Sequence, residues 1–315
     1  MKIVFWGKGL RSYYCLEKLV ELKCDIVLVV GQDNDKRDEY SVLSLADKYN
    51  LKSINPANPN DVEIENLLKT FKADLFVLGG YGYIVKQNII DIPKIMCINL
   101  HAGKLPQYRG SSPLNWALIN EEPTFTLSII KVDAGVDTGD IVIERTFGIS
   151  INDTIQDLHN TANEQFSLML LEVVKQIEDN SYVLAPQDNS QKSYYPLRFP
   201  DDGFILWDMF TSRQVHNYIR ALTEPYPCAF TYFEGRRVNL LSSELYDNPY
   251  FGEPGRIYLK SKRGLLVCAK DRCLWIKDAI LLDTGERLFD VVRRYDKLST
   301  VREALVINQN FVNTK

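Results

Sequence analysis

Hydrophobic and polar positions follow two periods along the first half of the chain. The runs "KIVFW" from Lys2, "DIVLVV" from Asp25, "DLFVLGG" from Asp74 and "IMCINLH" from Ile95 are almost unbroken in apolar residues and read as buried strands. Amphipathic stretches, Ser12 to Lys23 and Tyr40 to Tyr49 among them, separate these runs and read as helices. Strands apolar on both faces and alternating with helices predict an α/β fold: a Rossmann-like, mostly parallel sheet with helices on both faces. "FTLSIIKVD" and "GDIVIERTF" then read as a more exposed strand pair. Residues 153–178 predict the longest helix, with Asp153 and Gln156 as a capping box. Ile155, Leu158, Ala162, Phe166, Met169, Val173 and Ile177 form its apolar stripe.

The pattern then breaks. "NSYVLAPQDNSQKSYYPLRFPDDG" is polar and holds three prolines, which marks a boundary. We expect an N-terminal domain over 1–185, a linker over 186–202 and a smaller domain over 203–315. After a helix near "SRQVHNYIRAL", the runs "CAFTYF", "RVNLLSS", "GRIYLKS", "GLLVCAK" and "CLWIKDA" recur at about ten-residue spacing, split by Gly and charged turns. They predict a β-rich, barrel-like (OB-like) C-terminal domain. No internal repeat or low-complexity tract interrupts the pattern.

Composition adds boundaries. Hydrophobic residues make up 45% and charged ones 25% of the 315 positions, as in an ordinary globular protein. No apolar run is long enough to span a membrane, and "MKIVFWGKGL" passes directly into a strand pattern without a signal-peptide core. The six cysteines form no CxxC pair, so buried thiols are expected rather than a zinc site, and no metal is expected elsewhere. A cytoplasmic protein is the expectation. The net charge of −4 argues against a nucleic-acid partner.

Candidate chemistry concentrates in "INLHAGKLPQYRG", residues 98–110, which contains one of only three histidines. On a strand, residues two apart share a face, so Asn99 and His101 are expected to project together. They stand at the carboxyl end of their strand, where open α/β sheets bind ligands. "KVDAGVDTGD" brings Asp133, Asp137 and Asp140 into a glycine-containing loop. "GKGLRS" is a partial dinucleotide fingerprint with Ser12 in place of its third glycine and Asp33 as the nearest ribose-binding acid. A lone partial match is weak, and a tight strand-to-helix turn, whose backbone amides could face a phosphate or a substrate, is the preferred reading. His159 and His216 lie in amphipathic stretches and read as surface or packing residues.

Taken together, "NLH", "LPQYRG", "PLNWALIN" and "VDAGVDTGDI" resemble the folate-dependent formyltransferases, and "RFPDDGFILWDMFTSRQVHNYIRALTEPYPCAFTYFEG" resembles the start of a C-terminal domain in some members. The resemblance implies transfer of a formyl group from N10-formyltetrahydrofolate to an amine, with Asn99, His101 and Asp137 as catalytic residues. By the same resemblance Tyr81, Tyr83 and Ile84 of "GGYGYIV" line the pterin, and Asp133 and Gly135 close the other side. The chemistry fits these residue types. Asn99 is a neutral donor for a developing oxyanion, His101 a donor or proton shuttle, and Asp137 a group that orients the imidazole.

Three amines compete as acceptor. "HAGKLPQYRG" is similar to the sugar-nucleotide branch, which implies a nucleotide-linked amino sugar, with Lys8, Arg11, Lys104, Tyr108 and Arg109 as candidate substrate contacts. Methionyl-tRNA is the alternative. Against it stands "QDNDKRDEY", with four acids to two bases where resemblance to that subfamily implies a basic loop; for it stand seven Lys or Arg against one Asp over 256–277. Glycinamide ribonucleotide is disfavoured by the second domain. A nicotinamide-dependent or non-catalytic Rossmann-fold binding protein remains as another class. The sugar-nucleotide branch is the expectation taken forward, with no nucleic-acid or membrane partner and a homodimer allowed.

Overall fold

The structure is a computed structural model and describes residues 1–32 and 39–300. In chain order its elements are β1 Lys2–Gly7, α1 Gly9–Glu21, β2 Asp25–Val30, α2 Val42–Lys48, β3 Ser53–Ile54, α3 Val62–Phe71, β4 Leu75–Gly79, α4 Gln87–Ile90, β5 Met96–His101, β6 Arg109–Gly110, α5 Pro113–Ile119, β7 Thr124–Lys131, β8 Ile141–Gly148 and α6 Ile155–Glu178. Beyond them come β9 Tyr194–Tyr195, α7 Ser212–Leu222, β10 Ala229–Phe233, β11 Arg236–Leu245, β12 Ile257–Ser261, β13 Gly264–Cys268, β14 Cys273–Leu281 and α8 Leu288–Val291.

Contacts divide the chain into two units. The first comprises Met1–Pro113, Thr124–Gly148 and His159–Pro196; the second comprises Leu114–Pro123, Ile149–Leu158 and everything from Leu197. The pattern along the chain suggested contiguous domains. Two short segments instead cluster with the second unit, through long-range contacts that no local period encodes.

The first unit is built on a seven-stranded sheet in the order β3-β2-β1-β4-β5-β7-β8. The pairings from β3 through to β5 are parallel, and β7 and β8 join antiparallel. From β1 the chain winds outward to β2 and β3, then returns to place β4 on the other side of β1. That reversal is a topological switch point, and it opens a crevice beyond the carboxyl ends of β1 and β4. Alternate residues Val4, Trp6, Leu28, Val30, Phe76 and Leu78 pack one face into a core with Leu68 and Ile89. Burying each stabilises by roughly 1.5–3 kcal/mol, and Phe76→Ala would cost about 3–5 kcal/mol. The pair β7 and β8 differs from the expectation in one respect. The interior strand β7 is buried along almost its whole length, and only the outer strand β8 alternates with solvent.

Two local signals shift. The longest helix is capped one residue later than its sequence suggests: Asp157 accepts from the N–H of Thr154 at 2.8 Å and from its hydroxyl at 2.7 Å, while Asp153 caps Ser150 instead. Helix α3 escapes the reading above although its apolar residues recur at threes and fours: it buries Leu68 and packs Ile64 and Phe71 against the same core.

The second unit holds a five-stranded antiparallel sheet in the order β10-β11-β14-β13-β12, matching the five short apolar runs. Helix α7 starts in a capping box, Thr211 with Gln214, and buries Val215, Ile219 and Leu222. One turn apart on that helix, His216 donates to the carbonyl of Ile151 at 3.0 Å and Arg220 to those of Ser150 and Asp153 at 3.1 and 2.9 Å. These bonds satisfy the backbone of 150–153, and they explain why that segment joins this unit. His216 is therefore a packing residue. Among the described residues no helix is long and apolar enough to cross a membrane.

Candidate active site

Strand β5 places Asn99 and His101 on one face at its carboxyl end, and both reach the same carboxylate. Asn99 Nδ2 lies 3.4 Å from Asp137 Oδ1, and His101 Nδ1 lies 3.5 Å from Asp137 Oδ2. The imidazole and carboxylate side chains are almost fully buried, 6% and 11% exposed, so little water separates them. The other imidazole nitrogen is committed elsewhere: His101 Nε2 donates to the carbonyl of Tyr108 at 2.6 Å. That close approach needs Gly103, where an added Cβ would sit 2.6 Å from His101 Nε2 and 2.8 Å from Tyr108 O. Ser128 on β7 ties the same loop down, its hydroxyl donating to Gly103 O at 3.0 Å.

Asp137 is held from several sides. The N–H of Gly110 donates to its Oδ2 at 2.9 Å. Its backbone is left-handed, φ +53°, a conformation rare outside Gly, Asn and Asp. Asp133 closes the loop ahead of it, accepting from Gly135 N at 3.0 Å and Thr138 Oγ1 at 2.5 Å. Asp133 and Gly135 are exposed, and the Asp133 carboxylate is occupied by its own turn.

The loop after β4 stands next to this face, since Leu78 pairs with Asn99 across the sheet. Tyr81 packs edge-on against Trp6 at 5.3 Å and against Tyr83 at 5.8 Å, and burial pushes its phenol well above the ordinary tyrosine range. Ile84 is 76% exposed. Gln32 accepts from Gly82 N at 2.8 Å, and Asn60 bonds Ile84 O and Lys86 N at 2.9 and 2.8 Å, so both halves of the loop are pinned. Beside it, Trp6 Nε1 and Tyr81 Oη are buried with no hydrogen-bond partner among the described residues.

The expected substrate contacts fare differently. Arg109 is 1% exposed and its guanidinium donates inward, to Gln187, Asn189 and Tyr194. Tyr108 is buried with its ring stacked on Tyr195 at 4.7 Å. Arg11 lies over the Phe166 ring of α6 at 5.1 Å. These are struts and packing groups rather than phosphate contacts at a cleft mouth; a pattern read along one strand and turn cannot show which cations are covered by residues eighty positions away. Lys104 is exposed. Lys8 is half-buried; its N–H donates to Ser12 Oγ, whose hydroxyl returns to Lys8 O, each at 3.0 Å. "GKGLRS" is thus a self-closed turn, and Asp33 lies outside the described residues. Gln187, which sequence reasoning missed, meets both Arg109 and the Asp137 loop.

Comparison with known proteins bears on the fold and the acceptor. The family described as formyl transferase matches residues 1–174, and the formyl transferase C-terminal domain matches 199–284. The methionyl-tRNA formyltransferase of Acetivibrio thermocellus is 32% identical over 98% of this chain and 100% of its own. That of Alkaliphilus oremlandii is 31% identical over 88% and 91%. Among solved structures, the N-formyltransferase from Helicobacter canadensis in complex with folinic acid and dTDP-3-aminofucose superposes with a TM-score of 0.69 at 22% identity, covering 87% of this chain and 97% of its own, a likeness of fold. The full-length relatives overturn the expected nucleotide-linked amino sugar. That expectation rested on Ala102-Gly103-Lys104, where Gly103 makes room for the His101–Tyr108 contact, and on an acidic stretch whose residues 33–38 lie outside the described ones.

Proposed function

The chain belongs to the formyl transferase family, and on that premise we propose that it transfers the formyl group of N10-formyltetrahydrofolate to the amino group of methionyl-tRNA. The observation that carries the acceptor is similarity to methionyl-tRNA formyltransferases at about 30% identity through both units of the chain. The chemistry is supported by one carboxylate, Asp137, facing both Asn99 and His101.

A folate fits the residues present. The pinned loop 80–84 offers backbone groups, and Trp6 Nε1 and Tyr81 Oη are buried polar atoms that lack partners beside it. Tyr81, Tyr83 and Ile84 would hold the pterin, with Asp133 and Gly135 opposite; when bound, the folate supplies an activated formyl carbon. Asn99 then donates to the formyl oxygen as negative charge develops on it. Removing one such donor costs on the order of 100–1000-fold in rate. As the amine nitrogen bonds to the formyl carbon and that carbon's bond to the folate nitrogen breaks, His101 would carry the proton the amine loses to the leaving nitrogen, through Nδ1, because Nε2 is tied to Tyr108. Asp137 stabilises the positive charge on the ring while that proton is in transit.

The test is incubation with N10-formyltetrahydrofolate and initiator Met-tRNA, with acid-urea gels to resolve the formylated product. Formylation of Met-tRNA is expected. Release of formate without it, or formylation of another amine in its place, overturns the assignment.

A further inference from the structure

Gln187 lies in the polar stretch that follows α6, within the first unit, and its carboxamide is fully used. Nε2 donates to the carbonyls of Asp137 at 2.9 Å and Gly139 at 2.7 Å, on either side of Thr138. Oε1 accepts from Arg109 Nε at 3.0 Å and Nη2 at 2.6 Å. Two donors and two lone pairs are all that an amide side chain has. Arg109 in turn is a buried cation whose other acceptors, Asn189 Oδ1 at 2.8 Å and Tyr194 Oη at 3.1 Å, are neutral. Burying an arginine against neutral acceptors is costly unless its fork is well satisfied, so the guanidinium and Gln187 fix each other's geometry.

The backbone on either side of Arg109 touches the same chemistry. Tyr108 O accepts from His101 Nε2–H, and Gly110 N–H donates to Asp137 Oδ2. The turn 108–110 therefore carries His101 through one carbonyl and the Asp137 carboxylate through one N–H. It carries the Asp137 backbone through Arg109 and Gln187. Asp137 needs such support, because its φ of +53° is a strained setting for a residue with a Cβ.

We infer that Gln187 is a positioning residue for formyl transfer: with Arg109 it holds the backbone of 137–139 so that the Asp137 carboxylate stays aimed between Asn99 and His101. This rests on the function proposed above. A purely structural role needs only the oxygen that Arg109 binds, whereas the positioning role needs the two N–H donors as well.

Gln187→Glu separates the two roles, since it keeps and strengthens the Arg109 contact but sets an oxygen against two carbonyls. We expect Tm to hold near wild type, kcat to fall about 10–100-fold as expected for a misaimed reacting group, and KM for the folate to change less than threefold. Gln187→Ala guards against a Glu variant that does not fold and should lower kcat in the same way. Asn189→Ala removes an Arg109 acceptor with no link to the loop and should leave kcat within twofold. Amide exchange of Thr138 and Gly139, followed without any substrate, should accelerate in Gln187→Ala, and this readout survives if Met-tRNA proves not to be the acceptor. Wild-type kcat in both Gln187 variants, or unchanged exchange at 138–139, overturns the inference.

Discussion

His101 Nε2 donates to the carbonyl of Tyr108 at 2.6 Å, which leaves Nδ1 as the nitrogen that faces Asp137. A carbonyl only accepts, so Nε2 carries a proton; the neutral ring is then the Nε2–H tautomer, with the Nδ1 lone pair beside the Asp137 carboxylate, which favours a proton arriving there. Long-range 15N–1H spectra of the substrate-free protein should show that tautomer. A dominant Nδ1–H form would mean that the Tyr108 contact does not set the ring.

Asp137→Asn isolates the charge. Asn is among the few residues that accept a left-handed backbone, and its carbonyl oxygen can still take the Gly110 N–H, so the fold should survive. Turnover should fall by roughly 100-fold or more, in line with a lost acid–base contribution. Affinity for a non-reactive folate analogue, measured by calorimetry, should change little, since among the described residues the Asp137 carboxylate meets Asn99, His101 and Gly110 rather than the proposed pterin loop. Collapse of folate affinity with normal turnover at saturation would make Asp137 a binding residue instead.

Asn99→Ala tests the neutral donor. Its side chain is half-buried and its one described bond is long, 3.4 Å to Asp137, so little stability is at stake. Turnover should drop on the order of 100–1000-fold with Tm almost unchanged. Normal turnover in a folded variant removes Asn99 from the chemistry.

The sequence makes some of this site legible and hides the rest for physical reasons. A two-residue spacing on an apolar strand places Asn99 and His101 together, because strand geometry leaves no other choice. The sheet's winding is likewise readable from strands that alternate with helices. Arg109 looked like a phosphate ligand because charge is local in sequence while burial is not; its acceptors Gln187 and Asn189 lie beyond the whole of α6. Gln187 had no signal at all, since an amide in a polar, proline-containing stretch is ordinary linker composition. The acceptor was misread for a related cause: Gly103 serves the packing of His101 rather than recognition of a sugar.

Acid should weaken the fold through His159, half-buried, and His216, buried. Burial pushes His159 from 6.5 down to about 4, and the nearby Arg11 lowers it further in the same direction. Burial also lowers His216, against the carbonyl of Ile151 that favours its charged form. In the unfolded chain both rings take up a proton near pH 6.5, which the folded protein resists, so stability rises with pH across that interval. It is fully present above about 6.5 and is lost as pH falls towards about 4. Thermal melts from pH 7 to 4.5 should show Tm falling, and His159→Gln should flatten that fall relative to wild type. Parallel curves for the two proteins would assign the acid sensitivity elsewhere.

The tRNA proposal makes a distinct demand on the second unit, because a polyanion must find cations that are not already neutralised. Arg263 and Lys277 both pair with Glu244, and Lys260 donates to Val292 O, so much of the basic run over 256–277 is internally occupied. Lys262 and Lys270 are exposed and make no ion pair among the described residues. They sit in the turns at opposite ends of β13, roughly 17 Å or more apart at strand rise, which suits two phosphates along a backbone rather than one. Each phosphate contact steepens the dependence of log K on log salt by about 0.7–0.9. Changing both lysines to Ala should therefore weaken Met-tRNA binding and flatten the salt slope by about one to two. Folate affinity should stay unchanged. Arg263→Gln should alter the slope less, because its charge is already spent on Glu244. Binding isotherms from 50 to 300 mM salt decide the matter: an unchanged slope in the double variant places the tRNA contacts on another surface.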